Sequence, residues 1–385
     1  MISNIVNEVK TAVATNLRNI RGIHLCRKIV VFESDDWGSI RMPSKKVFDK
    51  LLREGVPVDR CPFNRFDSLA GRDDLDALFS VLSAFRDHRG NHPVITANSV
   101  MANPDFERIK ESGYNTYYYE PFKKTLERYP KLNRVFDMWE QGIDKKLFFP
   151  QFHGREHVNI ALWLNLLRSG HPAFISAFEH QMWGLGPNLV DSGYFNIQSS
   201  FDAASYLEIP LQKEILRKGL EMFKNTFGFE SMSFIANNYI WSSELNETLF
   251  SAGVKYIQGM KYQLLPLFDH KTHVHVMHYT GDLNNLDQIY IRRNASFEPS
   301  MHNHSSDCID RCVKEIAVSF MWKRPAVISL HRLNFVGQID EENRKKSLVL
   351  FMELLRKILA YWPDVEFMTT VELGNIIHKN LKRQS

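Results

Sequence analysis

The chain has 385 residues, 44% hydrophobic and 24% charged, which excludes a disordered or membrane-embedded class and allows one large domain or two ordinary ones. A formal net charge of +4 over that length points to no nucleic acid or other polyanion as partner. No run of about eighteen apolar residues occurs, so no membrane span is expected.

The first residues, "MISNIVNEVKTAVATNLRNIRG", lack the uninterrupted apolar segment and small-residue cleavage site of a signal peptide. Their spacing predicts an amphipathic helix over Ile2–Leu17 that ends near Gly22 and packs on the barrel. Residues 23–385 read as one domain, with an irregular insertion near 98–146 and a second over 191–209. Cys26, Cys61, Cys308 and Cys312 show no zinc-knuckle spacing, and free thiols in a reducing cytoplasm account for them.

From there, short apolar runs alternate with helical periods. Strands are predicted over Ile29–Glu33, Val94–Ala97, Leu147–Gln151, Ala173–Ser176, Met232–Ala236, Lys255–Gln258, Ile289–Arg292, Val327–Leu330 and Glu366–Met368. "HPVITANS" and "HPAFIS" both begin with His-Pro, read here as a strand entry. Helices are predicted over Lys45–Arg53, Leu75–Arg86, Ile160–Arg168, Leu211–Phe227, Glu244–Ala252, Ile309–Trp322 and Glu342–Tyr361, with Ser44 and Ser243 as caps and Gly253 as a stop. Such alternation over this length means an α/β fold and favours a closed or nearly closed barrel.

In a parallel barrel the working residues sit just past the strands. Asp35 and Asp36 come after the first run, His153 and His157 after the third, Asn237 and Asn238 after the fifth, and His331 stands in "AVISLHRLNF". Two adjacent carboxylates at the end of a buried strand need a reason, because like charges repel and desolvation is costly. His153 and His157, four apart, meet on one side of a helical turn and can hold one metal ion; the alternative is a pair of surface or capping histidines. A carboxylate from the Asp35–Asp36 pair would complete a two-histidine, one-carboxylate site with an open position for water. The other carboxylate would be left as a base.

Taken in order, these segments resemble the NodB-type polysaccharide deacetylases, carbohydrate esterase family 4. The family's T-F-D-D-G is matched by Glu33-Ser34-Asp35-Asp36-Trp37-Gly38, and its H-[ST]-x-x-H by His153-Gly154-Arg155-Glu156-His157. Its L-x-H is matched by Ser329-Leu330-His331, with Leu directly before His. The resemblance covers roughly Ile29 to Thr370 and implies a distorted (β/α)7 barrel. It further implies Asp35 as general base, Asp36, His153 and His157 as ligands of one divalent metal (Zn2+ preferred by the donor set), and His331 as general acid. The implied substrate is a carbohydrate carrying an N- or O-acetyl group.

The family's R-x-P-[YW] arginine has no counterpart in the matching region, residues 233–241. Asn237 or Asn238 is expected to hydrogen-bond Asp35 there, and Arg292, ending "QIYIRR", to supply the missing charge. Trp37 either lines the sugar site or plugs the barrel mouth. "YNTYYYEPF" reads as a surface excursion packed by its own rings or as a platform for a sugar. "HKTHVHVMH" reads as an exposed edge strand rather than a second metal site. The leading expectation is a metal-dependent carbohydrate deacetylase. The alternatives are another metal hydrolase on the same scaffold, or a non-catalytic metal- or glycan-binding barrel.

Overall fold

The apolar run Ile29–Phe32 and the acidic residues after it form a single strand, β1 (Ile29–Trp37), buried at all nine positions. A computed structural model describes residues 15–17, 19–129, 134–185, 196–268 and 272–383. Along β1, Ile29 and Val31 pack inside the sheet's curl with Tyr256, Ile289, Ile291 and Val327. Val30 and Phe32 face the larger core beneath the surrounding helices. A strand buried on both faces must be apolar at consecutive positions, which is the pattern the sequence carries here.

The remaining strands are β2 (Ile95–Ser99), β3 (Ala102–Pro104), β4 (Tyr119–Pro121), β5 (Phe148–Phe152), β6 (Ser233–Phe234) and β7 (Tyr256–Gly259). They continue with β8 (Tyr262–Leu267), β9 (Thr272–Met277), β10 (Ile289–Arg292), β11 (Ala295–Ser296), β12 (Ala326–His331) and β13 (Glu366–Met368). The main sheet runs β10-β7-β6-β5-β2-β1-β12-β11, with β13 added beside the first half of β1. Every pairing in it is parallel.

The two ends of this sheet, β10 and β11, are separated along the chain by Arg293 and Asn294 alone. Arg293 N donates to Gly259 O of β7 (2.8 Å), and Asn294 N to Val327 O of β12 (3.0 Å). One bent segment thus pairs with both flanks, so the sheet curls back on itself. With β10–β11 counted as one strand, β1, β2, β5, β6, β7 and β12 complete a distorted (β/α)7 barrel. The helix Thr370–Leu381 contributes Val371, Leu373 and Ile377 to the inner apolar cluster.

Two segments depart from expectation. Ala173–Ser176 lies in a helix, Pro172–Glu179. Pro172 occupies the first turn, where its missing N–H costs nothing, and Phe174, Ala177 and Phe178 are buried at helical spacing. The same dipeptide in "HPVITANS" does precede a strand. The described residues of 98–146 are not irregular: they include the β3–β4 hairpin and the helices Phe106–Glu111, Phe122–Arg128 and Val135–Asp144.

Tyr114 packs on Phe178 and Tyr117 on Trp163, while Arg108 and Arg155 lie over the rings of Tyr118 and Tyr119. The β8–β9 hairpin is a separate two-stranded sheet, and its His273 Nε2 is 2.8 Å from Asp202 Oδ1. Most of the helix expected over Ile2–Leu17 lies outside the described residues. At its described end, Trp322 Nε1 donates to Asn16 Oδ1 (2.9 Å) and Arg324 Nε to Asn19 O (2.9 Å). No helix among the described residues is long and apolar enough to cross a membrane.

Candidate active site

Adjacent side chains of a regular strand point to opposite faces, so Asp35 and Asp36 on an unbroken β1 would part company. They do not, because β1 is kinked there: its register with β2 shifts between Ser34 and Trp37, and Asp36 has φ 74°. A left-handed aspartate inside a strand is strained, and strain of this kind concentrates at functional positions. Both carboxylates line one pocket of about 250 Å³, with Arg41, Phe63, His153, His157, Asn238, Tyr239 and His331 among its other walls.

Asp36, His153 and His157 are buried, and their candidate ligand atoms lie within 4.8 Å of one another. His157 Nε2 is 3.0 Å and His153 Nε2 3.5 Å from Asp36 Oδ1. Ile235 O can only accept, so His153 carries a proton on Nδ1 (2.9 Å), and in the neutral ring Nε2 is the atom free to ligate a metal. His157 stacks on Trp183 (5.8 Å, 28°), and its buried Nδ1 has no partner among the described residues. Burial raises the Asp36 carboxyl, but His157, His153 and Arg41 together hold it well below the usual carboxylate range. Two imidazole nitrogens and an ionised oxygen, converging and buried, are a donor set that can hold a divalent metal.

Asp35 is held differently. Burial alone would lift its carboxyl; the Arg293 guanidinium outweighs that and, with His153 and His331, brings it to about 2. Arg293 Nη1 donates to Asp35 Oδ2 (2.7 Å) and Nη2 to Oδ1 (2.6 Å), while Nε donates to Glu33 Oε2 (2.7 Å). Asn98 Nδ2 adds a bond to Asp35 Oδ1 (2.8 Å) and is itself held by Gln258. Glu33, Asp35 and Arg293 therefore form a buried charge network that keeps Asp35 ionised.

The β1–β12 register sets His331 directly opposite Asp35. His331 Nδ1 bonds Glu298 Oε1 (2.6 Å), and Nε2 lies 3.8 Å from Asp35 Oδ2. Burial lowers the imidazole; Glu298, with Asp35 and Asp36, overcomes it and raises the group to about 9.

The structure thus brings Asp35, Asp36, His153, His157 and His331 together and treats the other candidates differently. Asn237 does not reach Asp35: its Nδ2 bonds His153 Nε2 (3.1 Å), and its Oδ1 accepts from Ser200 Oγ. Asn238 lines the pocket but bonds Asn196 and Ser199. Asn98 makes the bond expected of them. Arg292 faces the other way, with Nη1 3.5 Å from His278 O and its guanidinium over Tyr279. Its neighbour Arg293 faces Asp35, as side chains alternate along an extended chain. Trp37 does not line this pocket; it is buried in the core between the sheet and its helices. Its ring packs edge-on against Phe148 (4.7 Å) and Trp139 (6.1 Å), and its Nε1 donates to Ser34 Oγ.

Sequence reasoning missed Arg293, Glu298, Asn98 and Arg41. The second arginine of "IRR" was a visible signal for Arg293. Glu298 in "NASFEPS" lies past the same strand end, where a partner for His331 could have been sought. Arg41, five residues past Asp36, lines the same pocket.

No family model matches the chain, and no curated protein matches it in sequence. Among solved structures, it is similar to a putative polysaccharide deacetylase from Mycobacterium smegmatis at 11% identity and TM-score 0.45, covering 94% of this chain and 96% of that one. It is also similar to the allantoinase PuuE at 11% identity and TM-score 0.43, covering 93% and 94%. A 4-alpha-glucanotransferase from Thermococcus litoralis matches at 11% identity and TM-score 0.43 over 90% of this chain but only 40% of its own. At such identities and scores, no residue role passes from these proteins to this chain.

Proposed function

We propose that this protein is a metal-dependent deacylase that removes an acetyl group from an N-acetylated (or O-acetylated) sugar or glycan precursor. The observation that carries this is one small pocket in which the buried Asp36–His153–His157 cluster is flanked by Asp35, paired with Arg293, and by His331, bonded to Glu298. Binding alone would require neither flanking group.

A divalent ion on the three ligands, Zn2+ by the nature of the donor set, would supply Lewis-acid activation of an acyl carbonyl and of water. The protein groups do the rest. Asp35, kept anionic by Arg293, takes a proton as water attacks the acyl carbon. That proton passes to His331, 3.8 Å away, once His331 has given its own to the leaving group. His331, kept charged by Glu298, gives a proton to the departing amine or alcohol as the C–N or C–O bond breaks. Acetate and the free amine (or alcohol) are the products.

All four cysteines are free, which supports the reducing cytoplasm as the compartment. The test is elemental analysis of the purified protein beside an Asp36→Ala, His153→Ala variant, then assay of acetate release from N-acetylated sugars. About one metal per chain, lost in the variant together with acetate release, is expected. A wild-type protein that takes up no metal after incubation with zinc would sink the mechanism.

A further inference from the structure

The buried arginines around the site are spent on carboxylates: Arg293 on Asp35 and Glu33, Arg332 on Asp67 (2.9 and 2.8 Å), and Arg155 on Glu156 (2.6 and 2.9 Å). Arg41 is not. It is 2% exposed and lines the pocket, yet its nearest carboxylate contact is Nη2 to Asp36 Oδ2 at 3.7 Å, beyond hydrogen-bond distance. Nε and Nη1, which carry one and two N–H bonds, have no acceptor among the described residues. At that distance Asp36 balances part of the charge but accepts no hydrogen bond from the guanidinium.

Nor is Arg41 loosely placed. Its guanidinium lies 5.2 Å from the Phe63 ring and 5.0 Å from that of Trp183, the same indole that stacks on His157. Gly184 makes room for it: a Cβ there would sit 2.7 Å from Arg41 Cδ. A charged fork fixed by aromatic faces, with hydrogen-bonding capacity unfilled, is costly unless a ligand uses it. The guanidinium geometry matches a carboxylate or a phosphate. At about 250 Å³ the pocket is small, so a group held by Arg41 lies beside the Asp36–His153–His157 cluster.

We propose that Arg41 receives an oxyanion group of the substrate, so that the sugar acted on bears a carboxylate or phosphate close to the acylated position. The acyl part of this statement rests on the deacylase reading above; the anion part does not.

The test therefore has two arms. In the first, the metal-stripped full-length protein is titrated calorimetrically with inorganic phosphate, glucuronate and, as the neutral control, glucose. At least one anion is expected to bind ten times or more tightly than glucose. Arg41→Gln should abolish that preference, whereas Arg41→Lys, which keeps the charge, should retain part of it. Anions that bind the wild type no better than glucose, or equally well in Arg41→Gln, overturn the proposal, and the wild-type comparison decides even if a variant misfolds.

In the second arm, the zinc-loaded protein is offered N-acetylglucosamine, its 6-phosphate and N-acetylglucosaminuronic acid. A preference for one charged sugar identifies the source of the anion, and equal turnover of all three overturns the proposal while leaving the deacylase reading intact. Arg41-dependent anion binding without hydrolysis of any of them sinks the deacylase reading and keeps the anion site.

Discussion

Asp35 and Arg293 meet through two hydrogen bonds of 2.7 and 2.6 Å although 258 residues separate them in the chain. The same guanidinium holds Glu33, so one cation serves two fully buried carboxylates. Removing it leaves both without a counter-charge. Arg293→Met is expected to cost about 3–5 kcal/mol in urea denaturation of the metal-free protein. A loss below about 1 kcal/mol, the scale of a surface pair, would show that the network contributes little.

The sign of the pH dependence comes from His331. Its folded value, about 9, lies above the ordinary 6.5, so the stability its pairing contributes is fully present below about 6.5 and lost as pH rises through about 9. Wild type minus Glu298→Gln, compared by denaturation of metal-free protein, should shrink across that window. In the loaded enzyme, kcat/KM should fall on the alkaline side as the acid loses its proton, and Glu298→Gln should move that limb to lower pH. An alkaline limb at the same position in both would remove Glu298 from this role.

Asp36 combines a candidate ligand oxygen with a left-handed backbone. Asn tolerates that conformation and a β-branched residue does not. Asp36→Asn is therefore expected to fold near wild-type stability while losing metal affinity. Asp36→Val should lose the metal and a further ~1–3 kcal/mol of stability. Equal melting temperatures for the two variants would contradict the strain argument.

Trp37, wedged between Phe148 and Trp139, should behave as a core residue. Trp37→Ala is expected to destabilise by about 3–5 kcal/mol, and Trp37→Phe by less. Neither KM nor sugar affinity should change in Trp37→Phe. A weakened KM with unchanged stability would return this ring to the substrate site.

The barrel and the Asp36–His153–His157 cluster were legible because each left a local trace: an apolar run, then a polar group where the run ends. The residues that tune the cluster left none. Whether Arg292 or Arg293 faces Asp35 depends on which way the bent β10–β11 segment presents alternate side chains, and two adjacent arginines hide that parity. Asn98 reaches Asp35 from a strand 63 residues away, as an ordinary-looking end to β2. "HPAFIS" misled for a comparable reason, since proline opens a helix as readily as it precedes a strand, and only burial at 174, 177 and 178 decides.

One of the two residues that join the ends of the sheet, Arg293, also carries the positive charge beside Asp35. The hoop and its electrical fuse are one object. A backbone opened between Arg292 and Ala295, by permutation or by a protease, would keep its strands and both apolar cores. It would still lose the fixed position of Arg293, and with it the means of keeping Asp35 ready. In this molecule, closure of the ring and the main counter-charge of one carboxylate depend on the same short segment.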